Sequence, residues 1–178
     1  MGVIMMKITQ NTLKLCKKLQ MTLFITQFII IFSLIYFKCN YVINVTPSLP
    51  LGIYRLEKAK DLKQGDIILF DINEEAKQMM YERGYIPTKS TKLLKTIGAL
   101  ENNKINVVDS ILYVDGENYG RILEKDLENR KLPSIEIKMD KGNFLALTKK
   151  KLSYDSRYFG QVNLDKIEKK AKLVYEFK

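Results

Sequence analysis

Val45-Thr46-Pro47-Ser48-Leu49-Pro50-Leu51-Gly52 sets one hydroxyl, that of Ser48, between two prolines, and the rest of the chain takes its meaning from this stretch. Proline fixes its own φ and pushes the residue before it toward extended backbone. Thr46 and Leu49 each precede a proline, so the backbone is stiffened on both sides of Ser48. Thr46 adds a second hydroxyl two positions upstream. Gly52 lets the chain turn or approach another backbone closely. Taken alone, a Pro-Ser-x-Pro segment is far more often a plain turn. Its position in the chain, and what the chain has and lacks elsewhere, decide between the two.

Just upstream lies an apolar run, Met21 to Phe37, MTLFITQFIIIFSLIYF. With its flanks it approaches the roughly 20 residues that cross a bilayer. Thr22, Thr26, Gln27 and Ser33 are polar but uncharged. Lys7, Lys14, Lys17 and Lys18 precede the run and only Lys38 follows closely, so the positive-inside rule predicts a cytoplasmic N-terminus. The expected organisation is a basic cytoplasmic leader over 1–18, a transmembrane anchor over 19–38 and an extracytoplasmic domain over 39–178. A cleaved signal peptide is disfavoured: the run is long, and no small-x-small cleavage site follows it. Ser48 comes only a few residues after the span. Chemistry there would sit near the membrane surface and suit a substrate that spans or emerges from the membrane.

Composition narrows the chemistry. The 178 residues fit one soluble domain plus an anchor, and 46% hydrophobic residues allow a packed core. The net charge is +10, but five lysines and no acid in residues 1–40 supply half of it. Elsewhere acids and bases are interspersed, which argues against a nucleic-acid partner. The chain has no histidine. This excludes a Ser-His-Asp triad, a Cys-His pair and the usual histidine metal sites. Cys16 and Cys39 lie near opposite ends of the apolar run and do not suit a bond within one chain. A serine nucleophile here needs a base other than imidazole, and lysine is the known substitute.

The remainder reads as β-rich. Strands are predicted at 52–56, 67–70, 93–100, 105–108, 111–114, 135–138, 144–148 and 171–177, with a turn at Asp115-Gly116. Residues 74–83 read as a helix with Asn73 as N-cap and Gly84 just past its end. Residues 118–134 read as a polar surface excursion. On a strand, Leu93, Lys95 and Ile97 share one face. Burial there lowers a lysine pKa, and a neutral amine could take the Ser48 proton. From the pattern alone, a lysine that snorkels from an edge strand is the favoured alternative. In Ser153-Tyr154-Asp155-Ser156-Arg157, the plain interpretation is an Asp-Arg pair shaping a turn. The functional one makes Asp155 and Arg157 an internal brace while the Ser153 hydroxyl orients the Lys95 amine. Thr46 could join the Ser48 N–H in an oxyanion hole.

The order of these motifs resembles the bacterial type I signal peptidases. The residues concerned are the anchor, the Ser48 motif, Gly65-Asp66, the Lys95 strand, and Ser153 to Gly160. Within that family the conjugative-transfer branch is nearest. Its details are Thr46-Pro47-Ser48-Leu49-Pro50-Leu51-Gly52-Ile53-Tyr54, Arg83-Gly84-Tyr85, Leu93-Leu94-Lys95 and Asp155-Ser156-Arg157-Tyr158-Phe159-Gly160. The resemblance covers roughly residues 20–178. Each motif is modest alone; in this order they are specific, and they reverse the balance at Lys95.

The resemblance implies a mainly antiparallel β catalytic domain on a single N-terminal transmembrane helix, facing outward from the inner membrane. It implies a Ser-Lys dyad endopeptidase without metal or organic cofactor. Ser48 maps to the nucleophile and Lys95 to the general base. Thr46 maps to the oxyanion donor and Ser153 to the hydroxyl that positions the lysine. Asp155 and Arg157 map to the structural end of the last motif. Its partners would be the lipid bilayer and a precursor polypeptide with small residues before the cut, in this branch the conjugative pilin precursor. The alternatives are a general secretory signal peptidase and a non-catalytic anchored β-domain that scaffolds a secretion complex. Three departures stand out. Leu49 occupies a position where many relatives have methionine. Residues 96–102 lack the Pro-Gly-Asp that often follows the lysine strand. Residues 146–152 lack the Gly-Asp-Asn-Arg of the housekeeping enzymes, which favours the conjugative branch.

Overall fold

The computed structural model describes the backbone of residues 2–177 and the side chains of residues 13–177. The chain divides into two compact units, residues 1–41 and 42–178. Met1 and the side chains of residues 2–12, which include Lys7 of the predicted leader, lie outside the described residues.

The first unit is one helix, α1 (Gly2–Asn40). Its segment Leu13–Asn40 is long and apolar enough to cross a membrane. Leu19, Phe24, Ile29, Ile31, Phe32 and Ile35 are all exposed, so the apolar surface runs round the whole cylinder. A helix of that kind is matched to lipid rather than to one side of a soluble core. The Thr22 and Thr26 hydroxyls donate to the carbonyls four residues earlier, Lys18 O and Thr22 O. These bonds satisfy the polar side chains inside the helix itself. Cys16 and Cys39 are free thiols. The N-terminal apolar helix fits a single-pass anchor.

The second unit is mostly antiparallel β. Its elements are β1 (Tyr41–Asn44), β2 (Gly52–Lys58), β3 (Ile67–Phe70), α2 (Glu74–Glu82), β4 (Leu93–Leu100), β5 (Ile105–Val108), β6 (Ile111–Val114), β7 (Glu117–Arg121), β8 (Asn143–Leu147), α3 (Ser156–Phe159), β9 (Val162–Asn163) and β10 (Ile167–Glu176), with a 3-10 turn at Leu164–Lys166 before the last. Seven strands form one sheet in the order β1-β2-β10-β3-β4-β8-β9, and β5-β6-β7 form a second. Strand β10 pairs with β3 near its start and with β2 along most of its length, and so joins the two halves of the larger sheet.

Local chemistry explains most boundaries. The Asn73 side chain accepts from Ala76 N and starts α2; Gly84, at φ +70°, ends it. Asp115 and Gly116, at φ +51° and +81°, make the tight β6–β7 turn. The predicted surface excursion begins instead as β7, where Glu117 to Arg121 pair with β6. Residues 135–138, predicted as a strand, pair with no strand among the described residues. The closing strand starts four residues earlier than predicted, at Ile167, because its first half is polar yet still finds β3 as a partner.

Two cores meet at β8. Phe144 and Ala146 pack with Ile68, Phe70, Leu93 and Ile97. Leu145 and Leu147 pack with Ala99, Leu112, Val114 and Tyr119. Alternation along a strand sends successive residues to opposite faces, so one strand serves both cores. Strand β4 does the same by a different device. Its register against β8 shifts between Ile97 and Ala99, which turns Ala99 away from the Leu93 and Ile97 core. The bulge residue is Gly98. A Cβ there would lie 2.4 Å from Leu147 Cβ, closer than any real contact. Gly98→Ala should therefore destabilise the domain by about 1–3 kcal/mol through overpacking. Chemical denaturation of the detergent-solubilised chain measures this; an unchanged midpoint would mean that the bulge has room to relax.

Candidate active site

The Ser48 loop has a hydrogen-bonding problem set by its own sequence. Pro47 and Pro50 carry no N–H, and the segment between β1 and β2 belongs to no ladder. Its carbonyls must find donors elsewhere. They find side chains. Asn44, 5% exposed, donates from Nδ2 to Thr46 O (2.9 Å), Leu49 O (3.2 Å) and Pro50 O (3.0 Å). The buried Tyr54 hydroxyl also donates to Pro50 O, at 2.8 Å. Thr148, at the end of β8, donates from Oγ1 to Ser48 O at 2.9 Å. Leu49 is buried and plugs the loop into the domain, while Ser48 stays half-buried. Thr46 Oγ1 lies 3.4 Å from Ser48 Oγ and 2.8 Å from Asn44 Oδ1. The Ser48 N–H makes no hydrogen bond among the described residues.

Lys95 sits in the middle of β4, opposite Ile68 of β3. Only 7% exposed, it does not snorkel from an edge. Its Nζ donates to Ser153 Oγ at 2.6 Å. Burial in this apolar wall pushes the lysine pKa down. The Asp155 carboxylate works against that shift and the Arg157 guanidinium adds to it, and the outcome is about 8.

Ser153 belongs to the turn between β8 and α3, which a fully buried ion pair holds in place. Arg157 Nε donates to Asp155 Oδ1 and Arg157 Nη2 to Asp155 Oδ2, both at 2.8 Å, and both residues are 0% exposed. The remaining guanidinium hydrogens reach Lys150 O and Ser153 O on the turn, and Tyr119 O and Arg121 O on β7. Asp155 also caps α3 by accepting from Arg157 N, and accepts from Thr148 N at 3.3 Å. Ser156 Oγ accepts from Ala146 N on β8.

The six residues predicted from sequence therefore fall into two hydrogen-bonded groups. Thr46 and Ser48 form one; Lys95, Ser153, Asp155 and Arg157 surround the same turn. Thr148 links the groups, because it donates to Ser48 O while its N–H reaches Asp155. Ser48 Oγ and Lys95 Nζ share no hydrogen bond among the described residues; each hydroxyl or amine is engaged with another partner. Asn44 and Thr148 were not predicted from sequence. For Asn44 a signal existed: two prolines strip a loop of N–H donors, and a carboxamide nearby can replace them. For Thr148 none did, since its partner lies 100 positions away in the chain. Among the described residues, no three His, Cys, Asp or Glu side chains are grouped to hold a metal ion.

Comparison with known proteins adds to this geometry. The chain is 32% identical over 133 residues to the conjugal transfer protein TraF of Agrobacterium fabrum strain C58, covering 69% of this chain and 75% of that one. It is 27% identical over 148 residues to the conjugal transfer protein TraF of Agrobacterium tumefaciens strain 15955, covering 78% and 84%. Among solved structures, a signal peptidase I from Enterococcus faecalis V583 is similar at 21% identity and a TM-score of 0.38, covering 62% of this chain and 97% of that one. A family model described as signal peptidase, peptidase S26, matches residues 15–176, from the apolar helix through the last strand. With so much of its length accounted for, the chain belongs to the S26 signal peptidase family of serine peptidases.

Proposed function

We propose that the chain is a membrane-anchored Ser-Lys dyad endopeptidase that cleaves a membrane-associated precursor. The observation that carries this is Lys95: a buried lysine with a lowered pKa, tied to a serine hydroxyl, in a chain without histidine. A lysine pKa of about 8 leaves a useful fraction of neutral amine near neutral pH, as a general base requires. When the neutral amine donates one N–H to Ser153 Oγ, its lone pair is left for another proton.

The steps follow from that. Ser48 Oγ attacks the scissile carbonyl as Lys95 Nζ takes its proton, and the new oxyanion accepts from Ser48 N–H and the Thr46 hydroxyl. Lys95 then gives its proton to the leaving amine. Water, deprotonated by the same amine, releases the acyl group from Ser48. The Ser48 hydroxyl and the Lys95 amine, bonded to other groups in the free chain, come together in the substrate complex. Asp155 and Arg157 hold the Ser153 turn. The domain divisions at 18 and 38, the inner-membrane location and the N-inside orientation belong to the same proposal, supported by the lysine excess before the apolar helix.

For substrate, we favour the pilin precursor of a conjugative transfer or type IV secretion system over general secretory preproteins. Two relatives are conjugal transfer proteins, and residues 146–152 lack the Gly-Asp-Asn-Arg of the housekeeping enzymes.

Three outcomes test the chemistry. Ser48→Ala and Lys95→Ala should each abolish precursor cleavage without unfolding the protein. Lys95→Arg should also fail, because guanidinium stays protonated; full activity in that variant would remove lysine as the base. Single-turnover cleavage in detergent should rise with pH through an apparent pKa near 8, well below that of free lysine.

The same titration predicts a stability effect of defined sign. The unfolded chain holds the Lys95 proton up to about 10.4 and the folded one only to about 8, so between these values the unfolded state binds more protons. The penalty for burying the ammonium is full below pH 8 and disappears as the pH climbs past 10. Relative to Lys95→Met, the wild type should gain up to about 3 kcal/mol across that window. Denaturation of both proteins at a series of pH values measures the difference; a difference independent of pH would show that Lys95 titrates like a free lysine.

A further inference from the structure

Asn44 stands just ahead of the Ser48 loop, at the end of β1, and is among the few buried polar side chains of the domain. Its carboxamide has one possible orientation. The Nδ2 side faces three carbonyl oxygens, of Thr46, Leu49 and Pro50, which only a donor can satisfy. The Oδ1 side receives Thr46 N–H at 3.2 Å, which only an acceptor can satisfy. Oδ1 is therefore an acceptor for the Thr46 hydroxyl as well, at 2.8 Å.

A hydroxyl has one proton. With that proton on Asn44 Oδ1, Thr46 Oγ1 can offer Ser48 only a lone pair. In the 3.4 Å contact between the two hydroxyls, Ser48 must then be the donor. At that length the bond is weak, well beyond the usual 2.7–2.8 Å, so the nucleophile's proton is oriented but barely held. Two consequences follow. Thr46 cannot serve an oxyanion while its proton rests on Asn44. And the proton can change partner readily, because Asn44 Oδ1 is a neutral acceptor, whereas bonds to an ionised oxygen are roughly twice as strong.

We infer that Asn44 is a positioning residue for peptide cleavage. It parks the Thr46 hydroxyl proton in the free enzyme, and releases it to the oxyanion as charge develops on the substrate carbonyl. No covalent bond changes in this step; one hydrogen bond, Thr46 to Asn44, is exchanged for another, Thr46 to oxyanion. Donation of this kind is stronger in the transition state than in the ground state, which is the condition for a rate effect. The inference rests on the proposal that Ser48 is the nucleophile.

The sharpest variant is Asn44→Asp. The carboxylate keeps an acceptor facing Thr46 but grips its proton in a charge-assisted bond, so the oxyanion no longer wins it. A double-mutant cycle with Thr46→Val separates this from a loss of loop structure, because a residue that acts through Thr46 matters only while the Thr46 hydroxyl is there. The probe is a synthetic peptide with alanine before the scissile bond, cleaved by the full chain in detergent. Loss of one oxyanion donor costs about 100- to 1,000-fold in kcat. Asn44→Asp also takes the Nδ2 donor from the Thr46, Leu49 and Pro50 carbonyls, a loss common to both backgrounds. Beyond it, kcat is expected to fall about 10-fold more where the Thr46 hydroxyl is present than in the Thr46→Val background. An equal loss in both backgrounds, or no loss in either, overturns the inference. Should Asn44→Asp fail to fold, Asn44→Ser is put through the same cycle. An unchanged kcat in Thr46→Val alone also overturns the inference, since Asn44 would then have no oxyanion donor to position. Ser48→Ala distinguishes the two levels. Retained cleavage in that variant removes the nucleophile assignment itself, whereas a dead Ser48→Ala beside an additive cycle removes only the role of Asn44.

Discussion

The ion pair between Asp155 and Arg157 is the contact on which the site depends. Two opposite charges fully out of water are expensive, and their attraction offsets that cost only when every hydrogen is placed. Here the guanidinium spends its hydrogens on one carboxylate and on four carbonyls from two separate segments. The pair is thus less a source of net stability than a rigid joint between the Ser153 turn and β7. Breaking it from one side would strand a buried charge, a change worth about 3–5 kcal/mol. It also acts electrostatically. The carboxylate and guanidinium pull the Lys95 pKa in opposite directions, so desolvation is left to decide its value.

On the other side of the site the constraint is one of missing donors. Prolines at 47 and 50 give stiffness and remove two N–H groups, and the loop is held by Asn44, Tyr54 and Thr148 in their place. Stiff backbone with side-chain anchors holds the half-exposed Ser48 hydroxyl in a defined place outside any ladder. The arrangement also leaves the Ser48 N–H unspent, which a regular strand or helix at this position would not have done.

Much of the fold could be read from the sequence where one residue sufficed to decide. Asn73 and Gly84 bracket α2, Asp115-Gly116 makes its turn, and alternation in 93–97 puts Lys95 on the buried face. Where a partner strand decides, the sequence was silent. Tyr119 alone on an otherwise polar segment gave no hint of β7, and the polar start of β10 is a strand only because β3 lies beside it. Residues 135–138 alternate like a strand yet pair with no strand among the described residues. At the candidate site, side chains of reactive type drew notice, as Ser48 and Lys95 did. Asn44 and Thr148 did not, because their importance lies in the carbonyls they face, and those are set by the tertiary fold.

Strand β8 gives its odd-numbered side chains to one core and its even-numbered ones to the other. The two hydrophobic clusters therefore have no cleavage plane between them: neither can open while the other stays shut, since the wall they share would have to leave both. Unfolding should proceed as a single cooperative event, with the β8 amides among the last to exchange with solvent. The turn that carries Ser153 is the direct continuation of this strand. The amine's hydrogen-bond partner is in this way tied to both cores, along the chain through β8 and across it through the Arg157 bond to Ser153 O.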